Sequence, residues 1–352
     1  MTISEMIQSC RLPDEAAARG AEQRWDAIAK PLHGLGLLED AVVKICAITG
    51  RTDCQLSPRA VVVFCADNGV VAQGVTQTGQ EVTAIVAENM TRGEASICKM
   101  AALAGAEVFP VDMGMARKPA CSGILDRRQG DGTNDFTKGP AMTRAQAENA
   151  LRAGYDLARE LAEKGCRLLA AGEMGIGNTT TSSAVASVLL GENPEILTGR
   201  GAGLSSEGLV RKTQAIYQGI TLNRPDPADP IDVLAKVGGF DLAAMAGFYL
   251  GASAAGVPVI LDGFISLAAA LAAARLNPRC LAAMIPSHCS GEPGTQRILR
   301  ELHLPPPIQA GLCLGEGTGA AAFMPLLDMA AAVYRGMPTF RDIQVEEYKP
   351  LV

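Results

Sequence analysis

Aromatic residues make up only 4% of this 352-residue chain, so its core has to be built from aliphatic side chains. There are three histidines, His33, His288 and His303, and none falls in an H-E-x-x-H or similar ligand spacing. A zinc site is therefore not expected, and no metal or other cofactor is called for. No G-x-S-x-G elbow is present, and no Gly-Lys-Ser/Thr completes a Walker A loop. The ten cysteines form no C-x-x-C pair and read as thiols of a reducing cytoplasm. Basic residues do not exceed acidic ones: 31 against 37 give a net charge of −6, which argues against a nucleic-acid partner. The N-terminus lacks a basic segment followed by an apolar one, as a secretion signal would have. The most apolar region, 242–274, is broken by Gly256, Pro258 and Asp262, so no membrane span is expected.

What the chain does have is 48% hydrophobic residues and 38 glycines, arranged as apolar runs alternating with helical patterns. Candidate strands lie at 60–66, 107–111, 167–171, 257–261, 281–285 and 310–314. Several are continuously apolar, as in strands covered on both faces. Between them, 144–164 reads as a helix opened by the Thr143/Gln146 capping box and closed at Gly165. Other helices are expected over about 205–220 and from Ser266 to before Pro278. Alternating β and α segments predict an α/β fold, a Rossmann-like parallel sheet with helices on both faces. Residues 56–336 would form this catalytic domain. The mainly helical 1–55 and the short polar tail 337–352 would pack together as a small helical subdomain. The apolar stretch 241–256 is either core or an interface.

Two segments stand out, 170–181 around Glu173 and 312–319 around Glu316. Each is an apolar run that reaches a glutamate among glycines and then opens into an alanine-rich stretch, which reads as strand, tight loop and helix. Such a loop offers backbone N–H groups to an anion and sets a carboxylate beside it. In the first, Gly175, Gly177, Asn178, Thr179 and Thr180 would cradle a phosphate, with Lys212 as counter-charge and Ser290-Gly291 as a further anion-binding turn. Asp67-Asn68, Asp112, Glu173, Asp262, Ser287-His288 and Glu316 all sit where candidate strands end. They would converge on one crevice, or serve as caps and turn residues. Neighbouring His288 and Cys289 would not face each other, so they are not expected to act as a pair. Carboxylates remain as the acid–base groups, namely Glu316 and Glu173, whose proton affinity a partly desolvated crevice would raise.

Glu173-Met174-Gly175-Ile176-Gly177-Asn178-Thr179-Thr180 and Leu314-Gly315-Glu316-Gly317-Thr318-Gly319-Ala320 resemble the signatures of the nicotinate-nucleotide–dimethylbenzimidazole phosphoribosyltransferase (CobT) family of cobalamin biosynthesis. Ala66-Asp67-Asn68-Gly69-Val70, Gln80-Glu81-Val82-Thr83, Gly139-Pro140-Ala141-Met142-Thr143 and Leu261-Asp262-Gly263-Phe264 agree in order and spacing, so the resemblance spans nearly the whole chain. It implies transfer of the phosphoribosyl group of nicotinate mononucleotide to 5,6-dimethylbenzimidazole or a related lower-ligand base, with inversion at C1′. It further implies Glu316 as general base, Glu173 as a secondary carboxylate, and a phosphate held by Gly175, Gly177, Asn178, Thr179, Thr180, Lys212, Ser290 and Gly291. Gln80, Met174 and Leu314 would contact the base. A cytoplasmic homodimer is implied as well. The family often has an aromatic residue before the Gln80 segment, where this chain reads Val75-Thr76-Gln77-Thr78-Gly79. The same chemistry with another benzimidazole, a purine or a phenol is thus an alternative. A non-catalytic nucleotide-binding protein is another. A dinucleotide-dependent oxidoreductase would need a complete G-x-G-x-x-G near the first strand, which is missing.

Overall fold

The computed structural model describes residues 1–348. Helices α1 (Ile3–Gln8), α2 (Glu15–Ala27) and α3 (Leu37–Thr49) precede strand β1 (Arg59–Ala66). Helices α4 (Glu81–Thr91) and α5 (Ser96–Leu103) lead to β2 (Glu107–Gly114) and the two-residue β3 (Leu125–Asp126). Helix α6 (Arg144–Glu163) returns to β4 (Leu168–Met174), followed by α7 (Asn178–Leu190), α8 (Pro194–Leu197), α9 (Ser206–Asn223), α10 (Pro230–Val237) and α11 (Phe240–Ala255). Strand β5 (Val259–Leu261), α12 (Phe264–Leu276), β6 (Met284–Pro286), α13 (Gly294–Glu301) and α14 (Thr318–Gly336) complete the chain.

The six strands form one parallel sheet in the order β3-β2-β1-β4-β5-β6. Strand β1 shows why the sheet is buried on both sides: all eight of its residues are buried. Ala60, Val62 and Phe64 enter the core formed with α6, α11 and α12, while Val61, Val63 and Cys65 enter the one shared with α3, α5 and α14. That alternation is the two-residue period of an extended chain working against two apolar layers. The expected α/β sheet with helices on both faces is what forms.

Helix α6 carries the Thr143/Gln146 capping box and is followed by Gly165 at φ 93°, as its sequence pattern requires. It packs closely on α11, because a Cβ on Gly154 would collide with the Ala244 carbonyl and one on Gly247 with that of Leu151. Residues 240–253 of α11 are all buried, so the apolar 241–256 stretch belongs to the core.

At the other side of the sheet the two chain ends meet. Ile28 bridges Thr339, the Phe340 N–H donates to the Ala27 carbonyl at 3.0 Å, and Arg24 donates to the carbonyls of Tyr334 and Met337. The Trp25 and Tyr334 rings lie 5.0 Å apart. Helix α1 is elsewhere, against α6 and α11. Residues 349–352, the end of the expected tail, lie outside the described residues.

Three strand expectations need correction. The run 310–314 is not a strand: Ile308 before it forms an isolated bridge with His288, just past β6, and within it the Leu312 carbonyl accepts from Gly291 N–H. Its side chains remain accessible, Leu314 being 57% exposed, so no second layer covers them. Residues 278–282 form a 3-10 turn opened by Pro278, and β6 starts only at Met284. Strand β5 likewise starts at Val259, after Pro258. The short edge strand β3 has no apolar run behind it and was not anticipated.

Candidate active site

Strand order reverses between β1 and β4, the place where parallel α/β sheets leave a crevice at their carboxyl edge. A cavity of about 400 Å³ lies there, lined by the ends of β4, β5 and β6, the 75–78 loop, the 200–204 loop and residues 312–316.

One wall is acidic. Strand β4 runs on through Glu173, so this glutamate is a strand residue, buried and only 7% exposed. Burial pushes its pKa up to about 8, and Asp241, Asp262 and Glu316 add to the rise. The Asn178 amide opposes it, donating to Glu173 Oε2 and, at 3.1 Å, to Asp241 Oδ2. Glu316 sits opposite, its backbone N–H on the Glu173 carbonyl at 3.2 Å. Its own φ is 60°, between Gly315 at 92° and Gly317 at 86°, so three consecutive left-handed residues turn the carboxylate inward. Glu316 Oε2 accepts from the Ile97 N–H at 3.0 Å, at the start of α5, a helix whose N-cap Ala95 has no side chain to do so. Burial raises the Glu316 pKa, the amides of Ile97 and Ser96 hold it down, and Asp262 pushes it up again.

The second glycine loop does not offer its amides to a ligand. Asp262, at the end of β5, already occupies them, accepting from Gly317 N–H at 3.2 Å and from Ala320 N–H at 3.0 Å. The anion at the start of α14 is therefore the protein's own carboxylate. This corrects the expectation that both loops receive an anion in the same way.

The opposite wall is built for one. Helix α7 begins at Gly177, φ 94°, which caps it without a side chain and leaves the first turn open to the cavity through Gly175, Gly177, Asn178 and Thr179. Behind Thr179 lies Lys212, fully buried in α9, its Nζ 2.8 Å from Thr179 Oγ1 and 3.1 Å from the Gly199 carbonyl. Burial brings the Lys212 pKa down to about 8, with the Glu292 carboxylate working the other way. Glu292 Oε1 accepts from Gly201 N–H at 3.0 Å, while its buried Oε2 has no hydrogen-bond partner. Ser290 Oγ is shared with Thr295 Oγ1 at 2.7 Å.

Of the residues expected at the site, Glu316, Glu173, Met174, Leu314, Gly175, Gly177, Asn178, Thr179 and Ser290 line the cavity. Lys212, Thr180, Gly291 and Gln80 do not. Lys212 stands one hydroxyl behind the lining, and the buried Thr180 hydroxyl has no partner. Gln80 starts α4 and gives its amide to the Asn68 carbonyl at 3.2 Å, away from the lining. Of the polar strand-end residues, Glu173, Asp262, His288 and Glu316 converge as expected. Asp67, Asp112 and Ser287 are instead absorbed into the structure, and the Asn68 side-chain amide is buried without a hydrogen-bond partner. Asp67 accepts from Thr83 Oγ1 and Ala116 N–H, and Asp112 binds Arg128 and the Gly114 and Met115 amides. Arg200, Glu292, Asp241 and Ser96 were missed; only Gly199-Arg200-Gly201-Ala202-Gly203 carried a signal, as a second glycine-rich turn. Among the described residues no group of three or more His, Cys, Asp or Glu is arranged to hold a metal ion. No helix among them is long and apolar enough to cross a membrane.

Comparison with known proteins places this geometry. A family model described as phosphoribosyltransferase matches residues 10–345. The nicotinate-nucleotide–dimethylbenzimidazole phosphoribosyltransferase of Ruminiclostridium cellulolyticum is 44% identical over 351 residues, 100% of each chain. The Escherichia coli protein of the same name is 42% identical over 337 residues, covering 96% of this chain and 94% of its own. The crystal structure of CobT from Thermus thermophilus superimposes with a TM-score of 0.90 at 42% identity, over 95% of this chain and 100% of that one.

Proposed function

This chain belongs to the nicotinate-nucleotide–dimethylbenzimidazole phosphoribosyltransferase family, and from that membership we propose how its cavity carries out the reaction. The enzyme transfers the phosphoribosyl group of nicotinate mononucleotide to 5,6-dimethylbenzimidazole, releasing nicotinate and forming α-ribazole 5′-phosphate for cobalamin assembly.

The phosphate sits at the open start of α7, against Gly175, Gly177, Asn178, Thr179 and Ser290. Lys212 supplies positive charge through Thr179 and the 199–201 backbone. Thr180 and Gly291 support these turns from behind. The base packs on Met174 and Leu314, beside the 75–78 loop, and Gln80 holds the loop's far end through Asn68. Glu316 takes the N–H proton of the base as the other ring nitrogen attacks C1′ from the face opposite nicotinate. The C1′–nicotinate bond breaks as its electron pair returns to the pyridinium nitrogen, so the leaving group departs neutral at that atom and needs no acid. Charge on the sugar peaks midway, as in other oxocarbenium-like glycosyl transfers.

One observation carries the assignment of Glu316 over Glu173. Both carboxyls face the cavity, but Glu173 is held protonated by full burial among three other acids, its pKa near 8. Glu316 is half-buried and anchored on two backbone amides, which favour its ionised form. Glu173 then serves as a neutral carboxylic acid that donates a hydrogen bond to substrate. Replacing Glu316 by Gln and following nicotinate and α-nucleotide by mass tests the reading, and undiminished transfer refutes it. The ten free thiols and the family membership support a homodimer in a reducing cytoplasm, to be checked by analytical ultracentrifugation and cell fractionation.

A further inference from the structure

His288 follows β6, is 3% exposed and lines the cavity, yet no step above uses it. Its tautomer follows from its neighbour. Ser287 Oγ donates to the Leu261 carbonyl at 2.6 Å, which consumes its only proton. Toward His288 Nδ1, 2.9 Å away, the same hydroxyl can only accept, so Nδ1 carries the hydrogen. Burial favours the uncharged ring, although Asp262 nearby works against this. The Asp262 carboxylate is taken up by the Gly317 and Ala320 amides and makes no hydrogen bond with the imidazole. In the neutral ring Nε2 is left with a free lone pair and no protein donor.

The ring is held rigidly. A Cβ on Gly319 would fall on its Cε1 and Nδ1, so only glycine fits at that point of α14. On its other edge Nε2 lies 3.6 Å from where a Cβ of Gly263 would be, and Gly263 also lines the cavity. The flanking backbone is pinned too, with Cys289 N–H on the Ile308 carbonyl at 3.0 Å and Ile308 N–H on the Ser287 carbonyl at 3.2 Å. His288 therefore stands between the two walls. Gly319 joins it to the loop that carries Glu316, while Ser290 and Glu292, two and four residues on, belong to the phosphate wall.

A fixed acceptor at this place needs a ligand donor. Phosphate oxygens and the nicotinate carboxylate only accept, and the N–H of the incoming base is spoken for by Glu316. The ribose spans the distance between the walls and carries two hydroxyl donors. We propose that His288 Nε2 accepts a hydrogen bond from a ribose hydroxyl of the nucleotide, which makes His288 the residue that separates ribonucleotides from deoxyribonucleotides. This rests on the nucleotide reading given above.

The test compares dissociation constants of nicotinate mononucleotide and its 2′-deoxy and 3′-deoxy analogues by calorimetry. In the wild-type protein one of the two analogues binds about 5- to 15-fold more weakly, the worth of one hydrogen bond. In His288→Phe that ratio falls to near 1. Ser287→Ala, which frees the ring to change tautomer, gives an intermediate ratio and serves if the Phe variant fails to fold. With His33→Asn and His303→Asn removing the other two rings, nitrogen-15 spectra at pH 7.5 show a protonated Nδ1 and a bare Nε2. The Nε2 signal moves when nicotinate mononucleotide is added, and less with the discriminated analogue. A protonated Nε2 in the free protein, or an unchanged ratio in His288→Phe, overturns the proposal. Failure of the wild-type protein to release nicotinate from the mononucleotide in the presence of 5,6-dimethylbenzimidazole overturns the functional reading instead, whatever the tautomer.

Discussion

Glu173→Gln should make the protein more stable at alkaline pH, and the reason lies in where the carboxyl is buried. In the folded chain its pKa is up at about 8, against an ordinary 4.5. The folded state thus holds this proton more tightly than the unfolded chain. Stability from the group is fully present below about pH 4.5 and is lost as pH rises toward 8. At about 1.4 kcal/mol for each tenfold change in proton affinity, the whole loss is at most about 5 kcal/mol. Shared titration with Asp241 and Asp262 spreads part of it over the neighbours, so about 2 kcal/mol is a sound expectation. Glutamine keeps the acceptor for the Asn178 amide and never ionises. Near pH 5 the two proteins should unfold at similar denaturant concentrations. Above pH 8 the variant should gain about 2 kcal/mol, or about 3 °C in Tm for a chain of this length. Chemical denaturation at pH 5, 7 and 9 measures the difference. A gap that does not change with pH refutes the buried, protonated Glu173. The same titration should appear in turnover, since ionising Glu173 removes a donor from the site. Wild-type transfer should fall above about pH 8, and that alkaline limb should vanish in the variant.

Glu316→Gln should lower kcat by about 10²- to 10⁴-fold, the usual worth of a general base, with nicotinate mononucleotide affinity within about twofold by calorimetry. The acid limb of the wild-type pH–rate profile should lie above the ordinary carboxylate range, because rate needs the ionised Glu316 and burial raises its pKa. A limb at or below pH 4 would count against it. Lys212→Met should weaken the mononucleotide about 10- to 100-fold while leaving nicotinate riboside, which lacks phosphate, nearly unaffected. Equal losses for both would remove Lys212 from the phosphate site. Gly315→Ala should cost more than about 1 kcal/mol of stability, read by urea denaturation, because φ is 92° and the new Cβ would lie 2.5 Å from Glu173 Oε1.

The sheet was readable because its strands are buried on both faces: 60–66 and 168–171 are unbroken apolar runs, and burial of alternate β1 residues in two cores is the physical counterpart. The α6 boundaries were readable because capping chemistry is local. The 310–314 run misled because an apolar segment beside a binding cavity looks the same as one inside a sheet; Leu314 is exposed toward the space a base would fill. Glu173, Glu316 and the Gly175–Thr180 turn were visible for the same local reason, as carboxylates and glycines at strand ends. Gln80 was misplaced because its reach depends on how the 75–79 loop folds back over Asn68. Nothing local marks Ser96-Ile97 as the amides that hold Glu316, 219 residues later in the chain. Glu292 meets Gly201 across 91 residues and is equally invisible to spacing.

The acids explain why a single base can be selected from so crowded a cluster. Glu173, Asp241, Asp262 and Glu316 lie close enough that each shifts another's titration, and four charges at this depth would repel strongly. The fold gives each a different partner. Asp262 is balanced by the amides at the start of α14, a site that would otherwise attract an outside anion. Glu173 and Asp241 divide one neutral amide, that of Asn178, which leaves both above the ordinary carboxylate range. Glu316 is anchored by a helix N-terminus and lines the cavity, and it is the least buried of the four. With α14 used for an internal carboxylate, α7 is the helix start that the proposed reading gives to phosphate, with Lys212 one hydroxyl behind it. Two loops of similar sequence thereby do opposite things. One gives its Gly317 and Ala320 amides to Asp262, and the other, in the reading proposed above, turns the amides left unbonded in its first turn toward the nucleotide.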